Sequence, residues 1–244
     1  MHGHNWERVA GCAGIVAVLA FVVPGFVGTG RPPTPSDTDS VYKAILLAHQ
    51  SAIMRQVWLL AFGAVMMLWL GSGVQSFIHR HDETLASLAN LIFGLFVMAA
   101  GLLGASAAVE GGLVYRVTGE TSPATVVRLV YDIFSFLGND SLAMVTMLGA
   151  AVVAVAALAA HAMSRTVGYV SVVTAAVNLA TSLTVFTTKG SFSLEGSFTD
   201  IGQIVTMVWL LALSVDLIRP TKAPAVAPIV SAPDAALRDR RHAV

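Results

Sequence analysis

Stretches of about 20 mostly apolar residues recur six times along the 244-residue chain, at approximately 9–28, 53–74, 87–109, 140–161, 168–187 and 201–218. A helix rises about 1.5 Å per residue, so about 20 residues cross a hydrocarbon core of about 30 Å with every backbone polar group bonded inside the segment. The chain is 56% hydrophobic and 11% charged, whereas an ordinary soluble domain is about 25% charged. This pattern predicts an all-α, polytopic membrane bundle of six transmembrane helices over residues 1–218, with amphipathic helical elaborations on the outer side and a disordered cytoplasmic tail at 219–244.

Charge and cysteine usage remove several classes. Fourteen basic and fourteen acidic residues cancel, so no basic face points to nucleic acid. Cys12 is the sole cysteine, which leaves no internal disulfide, redox pair or zinc knuckle. There is no phosphate-binding loop and no GxGxxG after a strand. No Asp, Glu, Lys or Arg sits in the middle of a predicted span, and none of the histidines does, which argues against an ion-coupled pump and against haem ligation. HRHDE at 79–83 with His161 has no metal-ligand spacing, and Ser106 and His161 lie near opposite faces of the membrane, too far apart for proton transfer. No catalytic residue, metal or cofactor is therefore expected.

The first span follows Arg8 and continues through Pro24 without a small-residue cleavage site, so it reads as retained. Short segments expected on the inner side hold Arg8, Arg80, Arg165, Arg219, Lys222, Arg238, Arg240 and Arg241. That bias predicts a plasma-membrane protein with both termini cytoplasmic.

Two outer connections carry helical signals of their own. Asp39 or Ser40 is a cap for a helix running from Val41 directly into the second span, and to Gly73 it would measure about 50 Å. Ser122-Pro123 starts another helix. Unbroken to Met163 it would be about 60 Å long, so a stop is expected at Gly138, with Asn139 or Asp140 capping the next helix.

The residues RLVYDIFSFLGND at 128–140 concentrate charge. Arg128, Asp132, Ser135 and Asn139 fall on one helical stripe. The simpler reading is an amphipathic helix at the outer interface with its polar edge in water. The functional one is an outer polar site built from His49, Arg55, Glu110, Arg128, Asp132, Asn139 and Asp140, in which Arg55 or Arg128 pairs with Glu110 or Asp132. Tyr42, His49, Gln56 and Gly63 recur every seven residues on one face, which reads as a ligand-facing stripe or, more simply, as a packing seam with polar ends. Within the spans, Ser171, Thr174, Asn178 and Ser182 share a face, as do Gln203, Thr206 and Ser214. Such neutral stripes make interhelical hydrogen bonds or line a solute path, and Asn178 and Gln203 are the candidates for the second role.

Several segments together resemble a group of bacterial six-span proteins known as a domain of unknown function. They are WERVAGCAGIVAVLAFVVPG, AIMRQVWLLAFGAVMMLWL, and FLGNDSLAMVTMLGAAVVAVAALAAHAMSRTVGYVSVVTAAVNLATSL. The chain departs from that group at Asn139-Asp140, where a His-Gly pair is usual, and at SRTVGYV, where a proline is. The resemblance implies a fold and a membrane location, with no residue role to carry over.

The leading functional expectation is a non-enzymatic binding or accessory subunit whose outer cap engages a lipid, a small amphiphile or a membrane-protein partner, including a second copy. A small-solute or lipid transporter using Asn178 and Gln203 comes second, and an intramembrane enzyme third.

Overall fold

The structure, a computed structural model, describes residues 2–27, 37–117, 123–186 and 197–219. The tail beyond Arg219 and most of the KGSFSLEGSFTD connection lie outside the described residues. Within them the chain is helical, with no strand: α1 (His2–Val27), α2 (Asp39–Ala48), α3 (Gln50–His81), α4 (Ala86–Val117), α5 (Ala124–Phe136), α6 (Leu142–Leu158), α7 (Arg165–Ser182) and α8 (Ser197–Ile218).

Five segments are long and apolar enough to cross a membrane: Asn5–Pro24, Gln50–His81, Glu83–Arg116, Ala124–Leu158 and Phe198–Ile218. The expected fifth span, now α7, falls below that hydropathy because Ser171, Thr174, Asn178, Thr181 and Ser182 interrupt it.

Six long helices pack as a ring in the order α1, α3, α4, α6, α7, α8, with α8 returning to α1. The ring is tight where side chains are small. On α3, Gly73 lies against Ala10 of α1 and Gly63 against the Phe21 ring, and on α1 Gly14 meets Leu70 and Ser214. Close backbone approach of this kind substitutes for a hydrophobic drive that lipid does not supply. Large apolar side chains point outward instead, among them Leu19, Trp58, Val65, Leu91, Met98, Leu148, Val173, Ile204 and Val208.

The two ends of the ring differ. At the hairpin end, Asp82 accepts from the Thr84 hydroxyl at 2.7 Å and the Thr84 amide at 2.8 Å, and these bonds hold its carboxyl below the usual carboxylate range. Gln75 Nε2 donates to Asn90 Oδ1 at 2.7 Å, locking α3 to α4. Helix α6 ends at Leu158, the turn that follows passes through the left-handed His161 (φ 54°), and Ser164 caps α7 by accepting from Val167 N at 3.4 Å. Asp216 Oδ2 on α8 accepts the Ser164 amide at 3.1 Å, so α8 braces this turn. Glu7, fully buried on α1, pairs with Arg80 on α3.

At the cap end, two expectations need correction. The helix through Val41 does not run directly into α3: it breaks at His49 (φ −116°, ψ 17°), whose amide still bonds Ile45 O at 3.1 Å. The N-cap is Thr38, with Asp39 in the first turn. The second correction concerns Gly138. No stop forms there, because Leu137–Ser141 is a π-helical turn that carries α5 into α6, giving 35 helical residues, about 52 Å. The extra residue per turn keeps the backbone bonded without a break. Gly138 is needed for close approach instead, since a Cβ there would come within 2.8 Å of Ser106 Oγ.

Candidate binding pocket and cap

Helices α2 and α5 form the cap. Tyr42 is fully buried on α2, edge-on to Tyr131 of α5 at 5.3 Å, and Tyr131 tilts against Phe134 at 5.5 Å. The Arg128 guanidinium lies 5.2 Å above the Tyr42 ring and donates to Asp39 Oδ1 at 3.2 Å and Asp37 O at 3.0 Å. Beneath, Leu46, Ile53, Leu113, Val114 and Val127 form a small apolar cluster joining α2, α3, α4 and α5.

The expected polar site is dispersed by this packing. Arg128 turns to α2 and pairs with neither Asp132 nor Glu110, while Arg55 and Asp132 are exposed. Glu110 is 4% exposed and its Oε2 has no hydrogen-bond partner. The pairing fails because α2 interposes itself over the Arg128 edge of α5. His49 is half-buried at the α2–α3 break. Asn139 and Asp140 are turned to opposite neighbours by the π turn: Asn139 Oδ1 accepts from Gln203 Nε2 on α8 at 3.0 Å, and Asp140 Oδ1 accepts from Thr184 Oγ1 at 2.7 Å.

Arg128 is therefore a tether for the cap. Both partners are about one-third exposed, so the pair contributes up to about 1 kcal/mol. Arg128→Ala is expected to leave the ring intact and speed amide exchange across 39–48, read by hydrogen–deuterium exchange. A loss of protection in α6 or α8 instead would contradict the tether.

The neutral stripes of α7 and α8 face each other. Trp209 Nε1 donates to Ser171 Oγ at 2.8 Å, and Asn178 Nδ2 donates to Thr206 Oγ1 at 3.1 Å and to Thr174 O at 3.0 Å. Ser214 Oγ returns to its own helix at Leu210 O, 2.7 Å away. Most of the stripe is thus interhelical or backbone bonding.

Inside the cap half of the ring is a cavity of about 210 Å³. Its walls are apolar, with Phe21, Leu60, Leu95, Ala99, Leu103 and Val145 among them. Polar groups gather toward the cap, where Gln56, Asn139 and Gln203 line it, Gln203 exposed and the other two half-buried. Ser106, fully buried, also lines it and donates to Phe134 O at 3.2 Å, fastening α5 over α4. The floor is the stacked pair Phe96–Trp209, 5.9 Å apart, with Met67 and Leu210. One turn deeper, Leu70, Ile92, Val153 and Leu213 are fully buried, so the cavity is blind.

An apolar cavity of about 150 Å³ holds a benzene ring, whereas whole drug-sized ligands need about 300 Å³ or more. The pocket matches one ring or a short alkyl segment, with an adjoining polar head at Gln56, Asn139 and Gln203. A smaller cavity of about 40 Å³ adjoins it between the π turn, α7 and α8, bordered by Asn178 and Gln203.

Of these features, the sequence pointed to Asn139, Gln203 and Asn178, and to Gln56 as part of a candidate ligand-facing stripe, but gave no role in a pocket to Ser106, Phe96 or Trp209. Among the described residues no group of three or more His, Cys, Asp or Glu could hold a metal ion. Compared with known proteins, the chain matches no family model, no curated protein and no solved structure.

Proposed function

We propose that the chain is a six-span plasma-membrane protein with both termini cytoplasmic, and that its outward cap end binds the apolar part of a small amphiphile without catalysing a reaction. The observation that carries this reading is the blind apolar pocket of about 210 Å³ with amide side chains at its mouth. Counting α7 as a span is supported by its length, about 27 Å for 18 residues. It is supported too by its two-sided character: the polar face is buried on neighbours, while Tyr169, Val172, Val173 and Leu179 point outward. A hydropathy window averages those faces and undercounts the lipid-facing one.

A transporter would need a path through the hairpin half, and the small cavity that Asn178 and Gln203 border between α7 and α8 favours that second reading. It stops short of the buried Leu70, Val153 and Leu213 layer. Asn178→Leu abolishing flux in vesicles would support transport over simple binding.

Purification in a gentle detergent followed by native mass spectrometry tests the main proposal. The expected result is a single-chain amphiphile retained at one per protein and released on harsher activation. Recovery of a bare chain across several gentle detergents would count against it, and co-recovery of a stoichiometric protein partner would move the reading to an accessory subunit.

A further inference from the structure

The mouth of the apolar pocket restricts the head group it can take. Among the described residues no Asp, Glu, Lys, Arg or His lines the pocket; its polar side chains besides the Trp209 indole are the amides of Gln56, Asn139 and Gln203 and the hydroxyls of Ser106, Thr146 and Thr206. Arg55, next to Gln56, is exposed and does not line it, and Arg128 is drawn away to Asp39. Glu110, one turn beyond Ser106, and Asp140, beside Asn139, are buried and do not line it either. A charged head at the level of the half-buried Gln56 and Asn139 would shed water with no counter-charge in the wall to replace it. A neutral head needs only its hydrogen bonds replaced.

The amides offer those bonds in both senses. Gln203 Nε2 donates to Asn139 Oδ1 at 3.0 Å, so the pair presents Asn139 Nδ2 as a donor and Gln203 Oε1 as an acceptor. Among the described residues no hydrogen bond uses either atom, nor the Gln56 amide on α3. A hydroxyl donates and accepts and so can close on such a pair, whereas a carboxylate only accepts and an ammonium only donates. Below the amides the lining descends from Gln56 to Met67 on α3 and from Ser106 to Phe96 on α4, about 15 Å of helix in each case. A space of about 210 Å³ drawn out over that depth suits one extended chain.

We propose that the pocket takes a single-chain amphiphile with an uncharged hydroxyl head, as in a fatty alcohol, the head between Gln56, Asn139 and Gln203 and the tail against the Phe96–Trp209 floor. This rests on the reading that the pocket binds an amphiphile, and adds the chemistry of its head. A carboxylate or ammonium head on the same chain stays at the rim, where the exposed Gln203 leaves it in water, and its tail is withdrawn from the floor.

The test places the reporter at that floor. In the full chain in detergent, Trp6→Phe, Trp58→Phe and Trp69→Phe remove the three exposed tryptophans and leave the buried Trp209. The probes are dodecanol, dodecanoate, dodecylammonium and dodecane, each brominated at the tail end so that it quenches an indole it touches, at a pH that ionises both the acid and the amine. The alcohol should quench saturably, with a Kd at least tenfold below those of dodecanoate and dodecylammonium. Gln56→Leu should weaken the alcohol about three- to tenfold, the loss of one hydrogen bond, and leave dodecane unchanged. Native mass spectrometry of the wild-type chain with the same four compounds ranks them without any substitution, so the outcome stands even if the reporter chain does not fold. Equal or tighter binding of dodecanoate or dodecylammonium overturns the hydroxyl head while leaving the amphiphile pocket in place. Absence of quenching by all four, with none retained by the wild type, overturns the amphiphile reading and this inference with it.

Discussion

Ala99→Phe is expected to abolish amphiphile retention while leaving the helical ring folded. Ala99 is 4% exposed on α4 and lines the apolar pocket, so a ring attached there enters the 210 Å³ space that a ligand would occupy. Overpacking a filled core costs about 1–3 kcal/mol, but here the new side chain fills a void. The net change in stability should therefore fall at or below the lower end of that range. Binding should fall at least tenfold, equivalent to about 1.4 kcal/mol. The control is Val97→Phe on the same helix, where the side chain is 43% exposed on the outer face. Native mass spectrometry should show the amphiphile on wild type and Val97→Phe and not on Ala99→Phe. Retention by Ala99→Phe would place the ligand elsewhere.

Gly73→Ala is expected to be among the most damaging methyl additions to the helical ring. A Cβ at Gly73 would overlap the Ala10 methyl across the α1–α3 contact, with the Leu217 side chain 3.3 Å away. Neither backbone can yield without parting the two helices, so a cost of about 1–3 kcal/mol or more is expected. On a chain of this size that lowers Tm by several degrees, about 2–4 °C per kcal/mol. Pairing it with Ala10→Gly should recover most of the loss, since the removed methyl vacates the space the added one needs. Gly94 and Gly101 on α4 have nothing within 4 Å of the position an added methyl would take. Alanine at either should be neutral or raise stability by up to about 1 kcal/mol through helix propensity. If Gly73→Ala and Gly94→Ala behave alike in detergent unfolding, the close α1–α3 approach is wrong.

Much of the helical layout was legible because apolar run length is a local property. The runs that became α1, α3, α4, α6 and α8 needed only enough consecutive apolar residues. The α7 stripe of Ser171, Thr174 and Asn178 was legible for a similar reason, since a period of 3.6 puts residues on one face whatever the neighbours are. The identity of the neighbours was not. Arg128 lies four residues from Asp132, and that spacing suggested their pairing. Its partner is Asp39, 89 positions away in sequence, brought there when α2 folds back over α5.

The turn at 137–141 marks the same boundary between local and tertiary control. Glycine followed by Asn-Asp is a strong signal for a stop and a cap, and length alone argued for a break. The long helix persists because a π turn satisfies its backbone and because Ser106 Oγ bonds Phe134 O just before the turn. The turn then sends Asn139 to α8 and Asp140 to the end of α7.

By itself the sequence determined that the chain is helical, that its longest helices are apolar enough to cross a membrane, and which residues share a helical face. Each of these follows from composition and period within a single segment. Only the tertiary structure decided where the pocket is, which acids are buried without a full set of partners, and that the cap is tied through Arg128 to Asp39. A void in the centre of a ring is the space left over between separated segments, so no segment carries a signal for it. The same holds for Asp140, whose burial depends on Thr184 arriving from the far end of α7, a helix that begins only at Arg165.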